Sequence, residues 1–262
     1  MSLPLFNLSP VSTAQTLARG QGIVDLWCCF TDQLPDAELQ AAHDALLTAG
    51  ERERCARFHF ERDRRIGVAT RALVRTVLSR YAGVAPAAWQ FAAGEHGKPH
   101  VAHPALDVPL HFNLAHTAGL VVCAVSTAHE RLGVDAEALD RAAAGDDIAT
   151  RYFTAAEVRA LQALPAADRP RAFLVQWTLK ESYMKARGLG LALPLDQFSF
   201  EHGEAAPRVA FDPRLADDPA RWRFAVIDAP PRHLIAVGVD SGGAALSLRA
   251  ARVSSFGAAG SS

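Results

Sequence analysis

Lysine is almost missing from this sequence. Of 27 basic residues only three are lysine, Lys98, Lys180 and Lys185, and the rest are arginine. A compositional bias explains the scarcity, but not the places where lysine survives. An excess charge of one sign is missing too. The net charge is −1, so no overall field draws the chain to nucleic acid or to a membrane surface. No apolar run approaches the roughly 20 residues needed to cross a bilayer. The opening MSLPLFNLSPVSTAQTLARG has no positive segment followed by an apolar one, so no secretory leader is expected. Cysteine is sparse: Cys28, Cys29, Cys55 and Cys123 show no metal-binding spacing, and two adjacent cysteines are poorly placed for a disulfide. A reduced, cytoplasmic setting is the expectation.

The 262 residues are half hydrophobic and 21% charged, with a mean hydropathy of +0.05. That is an ordinary globular composition, long enough for somewhat under two domains. Residues 22–30 read as a strand, 36–50 as a helix, and 51–82 as a long helical region with a break near Phe58–Asp63 and a stop at Gly83. Residues 84–111 look loop-rich, with strands expected around FNLAHT, at 120–126 and at 131–139. Beyond Arg141 the pattern turns helical. Ala149–Phe153 is short; Thr154 and Glu157 form a capping box; and 172–188 is a long helix ended by Gly188. Two more strands are expected around 222–228 and 233–239, and the Gly, Ala and Ser content of 241–262 suggests a frayed end. LVVCAVS and HLIAVGV hold comparable places in the two halves, which suggests two similar α+β lobes divided near residue 130.

Several short segments carry chemistry. In GVDAEAL, Asp135 and Glu137 stand two apart and project from one face of a strand. Such a pair suits a hard cation such as Mg²⁺, although two surface acids on a solvated strand end would read the same. In WTLKESYMKARGLG, Trp177, Glu181 and Lys185 follow one helical stripe, with Lys180 next to Glu181. An ordinary i,i+4 surface pair is the bland alternative. His116 lies at the turn end of FNLAHT, just before Thr117, and Lys98 tips the turn GKP; each is a candidate phosphate ligand or a plain turn residue. Residues 51–75 hold eight arginines against four acids. Arginine suits bidentate phosphate contacts, but surface pairing accounts for at least half of them. A nucleic-acid surface is disfavoured by the interleaved acids and the neutral total.

Taken in order, the basic helix, GKP, FNLAHT, GVDAE and WTLKESYMKARGLGL resemble the 4′-phosphopantetheinyl transferase superfamily over roughly residues 50–200. The length and doubled halves are similar to its surfactin-synthetase-activator type. The run W-x-x-K-E-S-x-x-K-x-x-G-x-G-L is the most specific element, and all three lysines fall at motif positions. The resemblance implies an α+β, pseudo-dimeric fold. An N-terminal lobe (1–130) would carry the coenzyme A phosphate elements, a C-terminal lobe (131–245) the metal and catalytic residues, and 246–262 would be a flexible tail. It implies transfer of 4′-phosphopantetheine from coenzyme A to a serine of an acyl or peptidyl carrier protein, with Mg²⁺. No nucleophile of the chain's own is needed, and none is signalled.

By the same resemblance Asp135, Glu137 and Glu181 are metal ligands, Glu181 is also the general base, and Lys185 serves the leaving phosphate. Lys98, His116, Lys180, Arg54 and Arg57 are the coenzyme A contacts, with Arg65 and Arg71 behind them. A monomer with no nucleic-acid or membrane partner is expected. The family usually has Ser or Thr before the histidine; here it is Ala115, which implies one lost hydroxyl contact to the phosphates. The alternative within this fold is a catalytically degenerate coenzyme A-binding protein.

Overall fold

The structure is a computed structural model that describes residues 3–4, 9–10, 22–140, 145–202 and 206–257. Strands β1 (Leu3–Pro4), β2 (Ser9–Pro10) and β3 (Ile23–Phe30) lead into helices α1 (Asp36–Leu46), α2 (Ala49–Ala56) and α3 (Glu61–Ala82). A Thr48–Glu51 capping box starts α2, and the expected break falls at residues 57–60. Gly83, with φ of 63°, ends α3 in the left-handed conformation that glycine adopts at no steric cost. The hairpin β4 (Gln90–Ala93) and β5 (Pro99–His103) precedes β6 (His111–Thr117), β7 (Leu120–Ser126) and β8 (Leu132–Ala138). Helices α4 (Gly145–Tyr152), α5 (Ala155–Ala163) and α6 (Arg169–Arg187) follow. The Thr154–Glu157 capping box and the Gly188 stop lie where the sequence predicts them. The hairpin β9 (Phe198–Glu201) and β10 (Arg208–Phe211), then β11 (Trp222–Ala229), β12 (His233–Asp240) and β13 (Ser247–Arg252), complete the chain.

Two sheets form the frame. One has the order β2-β13-β3-β7-β6 and the other β1-β11-β12-β8. LVVCAVS and HLIAVGV are β7 and β12, and each stands next to its sheet's last strand. Inner faces of the sheets meet in one apolar core that includes Val24, Leu26, Val122, Val134, Ile227 and Val237. Helices α1–α3 cover the outer face of the first sheet and α4–α6 that of the second. The central strands are therefore buried on both faces. This is why IVDLWCCF and LVVCAVS run apolar without alternation. Among the described residues, no helix is long and apolar enough to cross a membrane.

The terminal strands are exchanged between the sheets. β1 runs parallel to β11, and β13 runs parallel to β3. This corrects the expectation of a flexible tail at 246–262. Residues 247–252 are a paired strand, Val253 and Phe256 are buried in the helical core, and Arg249 clasps the buried Asp25 at 2.6 Å. The composition hid a period of two. Leu248 and Ala250 face the inter-sheet core, while Ala251 and Val253 face the helices. Residues 258–262 lie outside the described residues. The loop-rich reading of 84–111 also misses the β4–β5 hairpin.

Candidate active site

The site is built where β8 meets α6. Gly133 on β8 lies opposite Gly238 on β12 in the ladder. A Cβ at Gly133 would collide with the carbonyl oxygen of Ser182 and the amide of Ala186. The missing side chain lets α6 lie directly on the strands, so the next two residues on that face, Asp135 and Glu137, meet the helix. Each of them is 7% exposed. Glu181 and Lys185, one turn apart on α6, face this pair. Lys185 Nζ lies 2.7 Å from Asp135 Oδ1, whereas Asp135 Oδ2 is buried with no hydrogen-bond partner. Burial, then the charges of Asp135 and Glu137, push the Glu181 carboxyl up to about 7 against the opposing pull of Lys185. Negative charge is thus crowded and under-compensated. Among the described residues, no three His, Cys, Asp or Glu side chains form a ready-made metal cluster. The expected trio of Asp135, Glu137 and Glu181 is not a preformed cage.

Strand β6 supplies the other wall. Its alternate residues Asn113, Ala115 and Thr117 point toward β8 and the inter-sheet core, and Phe112, Leu114 and His116 toward a cavity. That cavity, about 480 Å³, is bordered by Arg54, Arg71, Arg75 and His116, with Glu51 and Asp63 beside them. Phe58, Phe91 and Phe112 supply its apolar surface. Burial first, then the Lys185 ammonium, holds the His116 imidazole below its usual range. Both Lys185 and Asp135 act electrostatically on His116, so this wall of the cavity lies within range of the acidic cluster.

The expected residues divide. Arg54, Arg71 and His116 border the cavity; Arg57, at the C-cap of α2, does not. Arg65 pairs with Asp36 and donates to the carbonyls of Thr31 and Leu34 at 3.0 and 2.7 Å, fastening α3 to the segment before α1. Lys98 donates to the carbonyl oxygens of Leu132 and Ala186 at 3.0 and 3.2 Å, and burial lowers its pKa to about 8. It borders a separate cavity of about 360 Å³ that shares Pro99 and Phe112 with the first.

Two expectations need correction. Lys180 is not a cofactor contact: it is 0% exposed, pairs with Glu157 at 2.9 Å and donates to the carbonyls of Leu195 and Phe198 at 2.7 and 2.6 Å. Successive helix positions are about 100° apart, so the residue beside Glu181 points into the helical core. Ala115 is 1% exposed within the inter-sheet core, so a serine hydroxyl there would meet apolar side chains rather than phosphates.

Glu51 and Arg75 form a pair that the counting of arginines in 51–75 does not single out. Arg75 is buried, lies over the Phe91 ring and pairs with Glu51 at 2.9 Å on the cavity wall. An arginine inside the apolar run Ala72–Leu78 was the available signal. Asn113 and Thr117 were quoted only as parts of a motif. They stand four residues apart, so a strand puts them on one face with Ala115, but the pairing with β8 that makes them seam residues is a tertiary contact.

Residues 131–238 match the family model of the 4′-phosphopantetheinyl transferase superfamily, and residues 35–128 match that of the 4′-phosphopantetheinyl transferase N-terminal region. A 4′-phosphopantetheinyl transferase of Bacillus subtilis is 37% identical over 59% of this chain and 66% of its own length. The 4′-phosphopantetheinyl transferase HetI of a Nostoc species is 36% identical over 64% of this chain and 70% of its own. The 4′-phosphopantetheinyl transferase Sfp of Bacillus subtilis is 33% identical over 59% and 66%. The matches thus span about two thirds of these relatives' lengths. The solved holo-[acyl-carrier-protein] synthase of Thermotoga maritima is a looser likeness, with a TM-score of 0.34 and 19% identity over 42% of this chain and 62% of that one. The fold is a two-sheet α+β arrangement with an acidic cluster on β8 and α6 and an arginine-bordered cavity on the first sheet's side. The chain belongs to the 4′-phosphopantetheinyl transferase superfamily, and its enzyme class is that of these relatives.

Proposed function

We propose that this protein transfers the 4′-phosphopantetheine group of coenzyme A to a serine hydroxyl of an acyl or peptidyl carrier protein and releases adenosine 3′,5′-bisphosphate. The observation that carries the reading is the meeting of Asp135, Glu137, Glu181 and Lys185 beside a cavity bordered by arginines and His116.

Magnesium suits the residues present. Asp135 keeps a buried oxygen without a partner, and burial together with the charges of Asp135 and Glu137 pushes the Glu181 carboxyl up to about 7, so a cation is what the cluster is short of. Mg²⁺ is usually held by one or two carboxylates and completes its shell with water and substrate phosphates, so a three-ligand protein cage is not required. Asp135 and Glu137 would hold it, with Glu181 reaching it through water. When bound, it would neutralise charge on the pyrophosphate oxygens.

The remaining roles belong to the chain. Glu181, with its pKa near 7, is suited to take the proton of the serine hydroxyl as the serine oxygen bonds to phosphorus. Lys185 faces the leaving phosphate and can return a proton to it, which arginine does far less readily. Arg54, Arg71 and His116 would hold the bisphosphate end of coenzyme A. Lys98, bonded to the Leu132 and Ala186 carbonyls, ties the turn between β4 and β5 to β8 and α6. Four free, buried cysteines suit a reduced cytoplasmic setting.

The test is intact-mass spectrometry of an apo-acyl carrier protein incubated with the protein, coenzyme A and Mg²⁺, with an EDTA control. A Mg²⁺-dependent gain of about 340 Da is expected for phosphoryl transfer of this group. Glu181→Gln is expected to abolish the gain while sparing coenzyme A binding. No gain on either acyl or peptidyl carriers, with coenzyme A still bound, would replace the transferase by a degenerate binding protein.

A further inference from the structure

Strands β6 and β8 are the last strands of their sheets, and among the described residues no backbone ladder joins them. Two β6 side chains take the place of that ladder. Asn113 Oδ1 accepts the Val134 amide at 2.9 Å, and Thr117 Oγ1 accepts the Ala138 amide at 3.2 Å. They stand four residues apart on β6 and bracket, on β8, the segment that carries Asp135 and Glu137. Thr117 differs from Asn113 in one respect. Its hydroxyl lies 3.4 Å from Glu137 Oε2 and is placed to donate to it.

We infer that Thr117 is a positioning residue for Glu137: its hydroxyl fixes the carboxylate on the seam face of β8 and so sets the affinity of the cation site. The inference rests on the proposed function, because it assigns a purpose to an orientation within that site.

The chemistry of the hydroxyl is the argument. It has one proton and two lone pairs. The Ala138 amide engages the oxygen as acceptor, so the proton is left to point elsewhere, and a carboxylate is the stronger acceptor within reach. Thr117 is 6% exposed and Glu137 is buried beside it, so bulk water has little access to replace the contact. The β-branched side chain is stiff about χ1, and burial of its methyl group holds the rotamer. The Ala138 bond ties Thr117 to the backbone next to Glu137, so hydroxyl and carboxylate move as one unit. Asn113 makes the same kind of backbone bond but, among the described residues, hydrogen-bonds to no carboxylate. The two seam residues therefore separate lobe joining from carboxylate orientation.

The experiment uses Mn²⁺ as a paramagnetic probe of the full chain, with electron paramagnetic resonance reading free and bound ion, with and without coenzyme A. Thr117→Val keeps the shape and removes the hydroxyl; Thr117→Ser keeps the hydroxyl and removes the methyl group. Loss of a partner that orients a metal ligand commonly weakens metal binding ~10- to 100-fold. The valine variant is expected to lose at least about ten-fold in Mn²⁺ affinity, and the serine variant to stay near wild type. Valine binding Mn²⁺ as well as wild type would overturn the inference. Serine as poor as valine would also overturn it, by tracing the effect to packing of the methyl group. Should the valine variant not fold, Thr117→Cys, a weak donor of similar size, takes its place under the same criterion. Should wild type and Asp135→Asn bind no Mn²⁺ even with coenzyme A, the cation site itself fails and the inference with it. That result is distinct from a change confined to position 117.

Discussion

Lys185 Nζ and Asp135 Oδ1 stand 2.7 Å apart across the gap between α6 and β8, and the second Asp135 oxygen is buried without a partner. The ammonium partly balances a cluster of three acids, and in the proposed reaction it also serves the substrate phosphate. Both functions need a positive charge, but only return of a proton to a leaving group needs a charge that can be given up. Lys185→Arg separates the two. Arginine keeps the pairing with Asp135 and holds its proton far more tightly. The expected result is a fall in kcat of ~100-fold, as for loss of a general acid, with little change in KM for coenzyme A. Steady-state transfer kinetics on an apo carrier measure it. Turnover near wild type would make Lys185 a purely electrostatic group.

Stability should depend on pH in a direction set by Glu181. Its folded pKa, near 7, lies above the unfolded value of about 4.5, so the folded chain binds the extra proton between them. The metal-free protein therefore loses stability as pH rises from about 4.5 through about 7, by at most ~3 kcal/mol from this group. Lys98 acts in another window: its pKa near 8 lies below the unfolded value, so its contribution makes stability rise with pH only above about 8. Urea titrations of metal-free protein between pH 5 and 7.5 are expected to show a slope that Glu181→Gln removes. Mg²⁺ is expected to raise Tm more at pH 7.5 than at pH 5. An unchanged slope in the variant would assign the pH dependence to other groups.

Lys180 should behave as a structural residue. Its ammonium is enclosed by Glu157, two carbonyls and the rings of Phe153 and Phe198. Removing one partner of such a buried pair leaves an uncompensated charge and costs about 3–5 kcal/mol. Lys180→Met is expected to lose that much in urea denaturation, and Lys180→Met with Glu157→Gln to recover a large part of it. Coenzyme A affinity measured on the folded fraction should be unchanged in both. A selective loss of coenzyme A binding would return Lys180 to the phosphates.

These residues mark what could be read from the sequence. Glu181 and Lys185 were legible as a pair because i,i+4 spacing on a helix fixes their common face, and Asp135 and Glu137 because a strand has a period of two. Lys180 carried the same motif signal, but a neighbour on a helix points about 100° away, and only the packed core shows which way. β13 was missed because Ala, Ser and Arg carry weak strand propensity. What makes it a strand is pairing with β3, more than 200 residues away in the chain. The arginines of 51–75 could be counted but not sorted, because their roles depend on which side of α3 meets the cavity.

Arg71 and Arg65 test that sorting directly. Both lie on α3 and both were candidates, but Arg71 borders the cavity beside Arg54 and His116, whereas Arg65 is bound to Asp36 and two carbonyls on another side. A hydrogen bond to a charged group contributes about 1.5–3 kcal/mol, so loss of a phosphate contact at Arg71→Met should weaken coenzyme A binding by ~10- to 100-fold. Tm should change little, since among the described residues the Arg71 side chain donates only to the Gly67 carbonyl of its own helix. Arg65→Met should do the reverse. It loses three fastenings, one from α3 to the first residue of α1 and two to the segment before it, so Tm falls while coenzyme A affinity on the folded fraction holds. Calorimetric titration with coenzyme A, alongside thermal melts of both variants, reads the contrast. Equal losses of affinity would mean that coenzyme A reaches beyond the cavity that Arg71 borders. A loss at Arg65 alone would move the phosphate site to the opposite side of α3.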